Sequence, residues 1–306
     1  MKTPVSRRRA LIAGSAGLVT LAVGAPLLLK QAAVNANRGW VDPGQQTADE
    51  PSSPKASPTP ATPPFDLATI DPTKLVTVTA EGWFSWALMD RKNGAIIGSP
   101  NYNQTNRACS MIKTWIAADY LSQAKTPTKT RLDQITIMIR DSDSLTADDI
   151  MDELGRLKSF NRMKAVCKTT DFTPGSSWSK AVISARDTCR LADTVAAGRV
   201  ANAEWTNWLL DLMRNVRRGS WGVRAAFPPE VQAKMAIKNG WDTTSAKSEY
   251  HANCLAVTDR WSMAVLTRYP LSVKANETHG AAIAESIAKQ LLERPELQPL
   301  FGKGTP

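Results

Sequence analysis

Ser110-Met-Ile-Lys113 opens an apolar stretch of helical character, Met111-Ile-Lys-Thr-Trp-Ile-Ala-Ala-Asp-Tyr-Leu121. A serine at a helix N-terminus with a lysine three residues on puts both side chains on one face, at the positive end of the helix dipole. A lysine held there can take the serine's proton, and backbone N–H groups of the first turn can hold an oxyanion. The same spacing recurs at Ser52/Lys55, Ser122/Lys125 and Ser177/Lys180, so spacing alone decides nothing. Ser52 lies in a Pro-rich tract and cannot be preorganised. Ser122 lies at the far end of the same helix, where the dipole has the wrong sign. Ser110 is the serine with the right context.

Two further elements follow in order. Ser142-Asp143-Ser144 lies between Ile135-Thr-Ile-Met-Ile139 and a helix start. A second hydroxyl in a cleft can relay a proton between a lysine and a leaving group. Lys238-Asn239-Gly240-Trp241 offers a lysine to fix a substrate carboxylate and a glycine that lets substrate approach the backbone. The Trp241 N–H can complete an oxyanion hole with that of Ser110. Lys92-Asn93-Gly94 shows the plain alternative for such a tripeptide, a hairpin turn.

Around these elements the pattern predicts an α+β fold. Trp83 to Asp90 and Ala95 to Ser99 read as strands joined by the turn Arg91–Gly94. Thr146-Ala-Asp-Asp149 and Ser184-Ala-Arg-Asp187 read as helix-capping boxes. Trp205, Trp208, Leu209, Leu212 and Val216 recur at helical spacing, as a packing stripe. Cys254–Thr258 and Trp261–Tyr269 read as strands around Asp259-Arg260. Ile283, Ile287 and Leu291 mark a closing helix. Strands at both ends with helices between them imply one antiparallel sheet built from the two ends of the chain, with a helical lobe inserted. The cleft between them is the natural ligand site.

Together the three elements resemble the active-site signature of class A β-lactamases and penicillin-binding proteins. The chain from about Trp83 on resembles more closely the exported actinobacterial serine hydrolases of the β-lactamase-like fold. The carriers are Ser85-Trp-Ala-Leu-Met-Asp-Arg91, Ser110–Leu121, Met138-Ile-Arg-Asp-Ser-Asp-Ser144, Ser184-Ala-Arg-Asp-Thr-Cys-Arg-Leu191, Leu212-Met-Arg-Asn-Val216, Trp221-Gly-Val-Arg-Ala-Ala-Phe-Pro228, Ile237-Lys-Asn-Gly-Trp241 and Ala252-Asn-Cys-Leu-Ala-Val257. The resemblance implies Ser110 as nucleophile, Lys113 as its base and Ser142 as proton relay. It implies Ser144, Lys238, Asn239, Gly240 and Trp241 as substrate-binding residues. Ser144 stands where the family has an amide-binding Asn, and Asn239 where it has Thr or Ser. A class A β-lactamase hydrolyses its acyl-enzyme with a loop glutamate. Between Gly155 and Arg190 this chain has no Glu, only Asp171 and Asp187. Asp187 fits a capping role, which leaves Asp171 as the substitute base.

The 306-residue chain carries a formal charge of +10. Lys2, Arg7, Arg8, Arg9 and Lys30 flank or precede the apolar run Ala10–Leu29, and without them about +5 remains. No basic block interleaved with aromatics is present, which argues against nucleic acid as partner. The basic start and apolar run read as an export signal or signal anchor over residues 1–36. Ser6-Arg7-Arg8 suggests the twin-arginine route, and the missing Phe leaves the Sec route open. The run is long enough to remain as an N-terminal membrane anchor. Residues 37–66 are a Pro/Ser/Thr-rich linker, and residues 67–306 the hydrolase domain. Four Cys in an exported chain suggest two disulfides. Cys167 and Cys189 bracket a Pro/Gly/Ser-rich loop and are paired, which leaves Cys109 with Cys254. Four free buried thiols are the competing expectation.

The sequence thus points to an exported, envelope-facing serine hydrolase acting through an acyl-enzyme on an amide or ester, of β-lactam or peptidoglycan-peptide type. Efficient β-lactam turnover is not expected, and no metal or cofactor is called for. The alternative is a catalytically inactive protein that keeps the fold and binds a cell-wall ligand.

Overall fold

Alternation along Trp83–Asp90 sets the layers of the molecule. In the computed structural model, which describes residues 65–302, this stretch is strand β1 (Trp83–Asp90). Ala87 and Met89 face one apolar cluster, and Trp86 and Leu88 face the other. Both faces of the sheet are therefore covered, as a strand with apolar residues at both parities requires. A turn with Gly94 at φ 79° returns the chain to β2 (Ile96–Gly98), which pairs with β1 in antiparallel register.

After β3 (Thr105–Arg107) the chain enters the helical lobe. Its members are α1 (Lys113–Gln123), α2 (Lys129–Arg140), α3 (Leu145–Glu153) and α4 (Leu157–Cys167), then β4 (Val182–Ser184), α5 (Ala185–Ala196) and α6 (Ala203–Arg214). From Lys113 to Leu121 every residue of α1 is buried. A helix covered all round is the axle of its lobe rather than a surface element. Polar residues caught on it need partners. The Asp119 carboxylate accepts from Ser159 Oγ and from Arg162 Nε at 2.8 Å and Nη2 at 2.7 Å, and Trp115 Nε1 donates to Ser159 Oγ at 2.9 Å. This network ties α1 to α4.

The chain then returns to the sheet through α7 (Pro229–Gln232), β5 (Ala236–Ile237), β6 (Gly240–Thr244), β7 (Glu249–Val257) and β8 (Trp261–Pro270). It closes with α8 (Thr278–Leu292) and α9 (Gln298–Phe301). The antiparallel sheet runs β2-β1-β8-β7-β5, with β6 also on β7, and β3–β4 form a separate pair. The sheet is thus made from the two ends of the chain, as its pattern predicts. Ile283, Ile287 and Leu291 of α8 are buried on the face opposite the helical lobe. Leu67 and Leu75 pack into that same cluster, and Gln290 holds both Thr77 N and Thr77 O.

Three expectations need correction or fall out of reach. Ser184 does cap α5, accepting from Asp187 N at 3.0 Å. The cap of α3, however, is Asp143, which accepts from Thr146 N at 2.7 Å, while Thr146 lies buried inside the helix. The two disulfides are absent: Cys109, Cys167, Cys189 and Cys254 are all free and buried. Cys254 faces the α8 side of β7, whereas its neighbour Asn253 faces the helical lobe and holds Arg107 O at 2.8 Å. Cys109, two residues beyond Arg107, is on that other side of the sheet. Cys189 points at the sheet, with Sγ 3.4 Å from Ala87 O and 3.6 Å from Ser262 O, while Cys167 meets Thr194 a turn further along α5. Burial raises all four thiols to about 12, so none is a reactive thiolate. The export segment and nearly all of the linker lie outside the described residues. No helix among the described residues is long and apolar enough to cross a membrane.

Two outcomes follow. Alkylation without reductant should modify no cysteine in the folded protein and all four in denaturant, read by intact mass. Arg162→Ala should destabilise the protein by about 3 kcal/mol, because it leaves the buried Asp119 charge without its cation. Denaturant unfolding would show a lower midpoint at unchanged slope. A change under about 0.5 kcal/mol would mean that Asp119 is satisfied without it.

Candidate active site

Ser110 sits in a 3-10 turn, Cys109–Ile112, that runs straight into α1. Cys109 has φ 48°, a left-handed conformation that costs a non-glycine residue roughly 1–2 kcal/mol. Ala108 N, one residue earlier, donates to Ala181 O at 2.7 Å, which continues the β3–β4 pairing. The strained residue therefore makes the corner between a pinned strand and a buried helix. Gly240 leans on that corner from β6. A Cβ there would lie 2.6 Å from Ser110 N and 2.7 Å from Met111 N, so only glycine fits. The start of β6, with the Gly240–Trp241 peptide, thus lies against the helix N-terminus.

Lys113 is the first residue of α1 and is buried. Its Nζ donates to Ser142 O at 2.7 Å and lies 3.4 Å from Ser142 Oγ and 3.3 Å from Ser144 Oγ. The indole of Trp178 stands 4.8 Å from it. Ser142 is also left-handed, at φ 63°, where the chain leaves α2 and both Asp141 N and Asp143 N bond to Ile137 O. That reversal turns both oxygens of Ser142 onto Lys113. Lys238 reaches the same hydroxyl, with Nζ 3.0 Å from Ser142 Oγ and 3.2 Å from Asn239 O. Ser110 Oγ makes no hydrogen bond with another described residue.

No carboxylate forms an ion pair with either lysine among the described residues. Burial pushes Lys113 down to about 8, with Asp143 and Asp148 opposing the fall and Arg218 adding to it. Burial likewise drives Lys238 well below its ordinary value, and the charges of Lys113 and Arg218 add to this. Two ammonium groups held on one half-buried hydroxyl repel, so the pair favours an uncharged amine. An uncharged amine is a proton acceptor, which is the chemistry a serine nucleophile needs.

The cleft in front of these groups has a volume of about 280 Å³ and is lined by Ser110, Ser144 and Trp241 together with Asp148, Trp178 and Asp242. The structure thus brings together Ser110, Lys113, Ser142, Ser144, Lys238, Gly240 and Trp241. Asn239 is 2% exposed, and its amide donates to Trp221 O at 2.7 Å, so it braces the segment between α6 and α7. Asp171 is spent elsewhere. It takes Arg186 Nη2 at 2.7 Å and Ser184 Oγ at 2.7 Å. Burial raises its carboxyl, but those bonds from Arg186 and Ser184 outweigh it and hold the group below its ordinary value. Asp187 is buried and binds the backbone N–H groups of Asp171 and Phe172.

Sequence reasoning missed Asp148 and Trp178. Asp148 lies four residues after Ser144 on α3, so helical spacing alone could have put it on the cleft face. One of its oxygens accepts from Trp178 Nε1 at 2.7 Å. Trp178 comes from the loop between α4 and β4, and no spacing rule links it to Lys113.

A model of the β-lactamase enzyme family matches residues 125–294. That span includes Ser142, Ser144 and Lys238–Trp241 and starts beyond Lys113. No curated protein sequence matches the chain. Among solved structures, a β-lactamase from Desulfarculus baarsii superposes with a TM-score of 0.54 at 15% identity, over 69% of this chain and 91% of that one. An ancestral class A β-lactamase gives 0.55 at 14% identity, over 70% and 95%. A β-lactamase from Streptosporangium roseum gives 0.55 at 13% identity, over 69% and 92%. At such identities the likeness is one of fold.

The Lys113 environment sets a pH profile. If its neutral amine takes the serine proton, the rate of Ser110 labelling by a fluorophosphonate rises with pH, because the neutral fraction grows through about pH 8. The rate then levels off. Labelling independent of pH from 6 to 9.5 would remove Lys113 from the role of base.

Proposed function

Since the chain belongs to the β-lactamase enzyme family, we propose that it is a serine hydrolase whose nucleophile is Ser110, with Lys113 as base and Ser142 as proton relay. It works through an acyl-enzyme on an amide or ester of β-lactam or peptidoglycan-peptide type. The observation that carries this reading is the Lys113 amine, buried, lowered to about 8 and held against Ser142 one helical turn from Ser110. Its setting is the cell envelope, on the pattern of residues 1–36, which reads as a twin-arginine or Sec signal, cleaved or kept as an anchor.

In the forward step Ser110 Oγ bonds to the substrate carbonyl carbon while its proton passes to neutral Lys113. The N–H groups of Ser110 and Trp241 hold the oxyanion. The C–N bond breaks as Lys113 returns the proton through Ser142 to the leaving nitrogen. Lys238 fixes a substrate carboxylate. An arriving anion favours the charged form of the lysine and offsets the burial that depresses it.

Release of the acyl group needs a base aimed at water. No Glu lies between Gly155 and Arg190, and Asp171 is bound by Arg186 and Ser184. Asp242 pairs with Arg107 at 2.7 Å. Asp148 is the cleft acid with an oxygen that has no partner among the described residues. Deacylation is therefore slow and runs through Asp148. The second reading, a non-catalytic binder of a cell-wall ligand, is favoured by one observation: the hydrogen bonds of Lys113 Nζ go to Ser142 and Ser144 and not to Ser110.

Mass spectrometry after mixing with a penicillin separates the two. A stoichiometric adduct should form and persist, Ser110→Ala should form none, and Lys113→Ala should slow its formation by about 10²–10⁴. Asp148→Asn should lengthen the adduct's lifetime further. Rapid multiple turnover would refute the slow step, and no adduct with any acylating probe would leave the binding reading.

A further inference from the structure

A second cleft opens beside the first, which it adjoins through the Arg107–Asp242 pair. It has a volume of about 430 Å³, lies between the β3–β4 pair and the ends of β6, β7 and β8, and shares no lining residue with the first. Its charged residues are Arg107, Lys180, Lys247 and Arg268, against one carboxylate, Glu249. We infer that this cleft is a binding site for a phosphate group.

Three observations carry the assignment. Lys180, Lys247 and Arg268 form no ion pair with any described residue, and neither does Glu249. Four cations against Glu249 and the Asp242 partner of Arg107 leave the site net positive, and a bound anion relieves the repulsion among them. Second, Arg107 uses Nη1 on Thr244 Oγ1 at 2.7 Å and Nη2 on Asp242, while its Nε is buried with no partner among the described residues. That N–H is closed off from the cleft, so Arg107 contributes to it the charge of its guanidinium rather than a free donor. Third, the floor is His251, 3% exposed, with both ring nitrogens on uncharged partners, Asn106 Oδ1 at 2.8 Å and Thr244 Oγ1 at 2.9 Å. Burial, then Arg107, Arg268 and Lys247, lowers it to about 4. The histidine therefore stays neutral and neither adds to nor offsets the charge of the cleft.

The chemistry of the donors selects phosphate over carboxylate. A lone carboxylate brings one charge and two acceptor atoms. A phosphate brings more charge and a tetrahedral set of acceptors, which suits Lys180 and Lys247 as point charges, with Arg107 held on Asp242 and Thr244 and Arg268 over the Trp83 ring beside them. The volume leaves room for a substituent on the phosphate, so either a free phosphate or a phosphodiester of an anionic polymer can supply it. The binding does not depend on acyl transfer at Ser110.

Calorimetric titration of the full chain at low salt with inorganic pyrophosphate, with a glycerol-phosphate oligomer and with citrate tests this. Saturable binding of pyrophosphate or the oligomer is expected, tighter than citrate. Tighter binding of the oligomer identifies the polymer source, and tighter binding of pyrophosphate the free one. Lys180→Ala with Lys247→Ala should raise Kd at least tenfold. Lys158→Ala with Lys164→Ala, which removes the same charge from exposed positions of α4, should change it less than twofold. Ser110→Ala should bind as the wild type does. No saturable binding of either phosphate probe, equal weakening by the two double variants, or a preference for citrate would overturn the assignment.

Discussion

A buried lysine amine with no carboxylate paired to it among the described residues is the constraint on which the cleft is built. Lys113 can be buried at the head of α1 only because Ser142 and Ser144 supply its acceptors. Those acceptors in turn exist only because Ser142 is forced into the left-handed region at the end of α2. A glycine would take that conformation with no strain and would deliver no hydroxyl. Cys109 carries the matching strain on the other side, at the corner that aims Ser110. Strain of this kind persists where the surroundings over-determine it, and here they do. Beneath Cys109 lie the β3–β4 pair and the Gly240 backbone, and Ile137 O holds two N–H groups on either side of Ser142.

The helical lobe supplies the rigidity this demands. Because α1 is buried all round, moving its first turn means moving the Asp119–Ser159–Arg162 network and the packing of Trp115 with it. The site thus rests on a helix whose own polar residues are locked, which is how side-chain positions are held within tenths of an ångström. The sheet adds a second brace. Asn253 on β7 takes Asn106 Nδ2 at 3.0 Å and donates to Arg107 O, so the strand that leads into Ser110 is hydrogen-bonded to the centre of the sheet.

What could be read from the chain was what depends on neighbours in sequence. Strand β1, its turn at Gly94, the Ser184 cap and the apolar spacing of α8 are local patterns, and each stands in the structure where its pattern lies. The Ser142–Ser144 and Lys238–Trp241 elements could be linked to Ser110 through their order and chemistry. What failed was what depends on which way a side chain faces across the fold. Pairing Cys109 with Cys254 ignored strand parity: on β7 the residue that looks toward Ser110's side is Asn253, one position away. The α3 cap was misread because Asp143 and Thr146 offer the same sort of signal three residues apart, and the buried position went to Thr146. Trp178 was invisible because a loop residue meets Lys113 only through the closure of the whole lobe.

The disposition of acids around the cleft gives the chemistry its direction. Asp171 is held by Arg186, Asp187 by two backbone N–H groups, and Asp242 by Arg107. Asp148 keeps one oxygen uncommitted but shares the other with the Trp178 indole, which itself covers Lys113. The groups that stabilise an arriving anion are therefore numerous and buried, while groups that could deprotonate a water are few and mostly engaged. On our reading of Ser110 as nucleophile, such a site lowers the barrier to capture of a carbonyl far more than the barrier to release of the ester, because capture draws on cations and N–H donors and release on a free carboxylate. Arg107 extends the same logic beyond the cleft. Its guanidinium pairs with Asp242, which lines the first cleft, while Arg107 itself lines the second beside Lys180, Lys247 and Arg268.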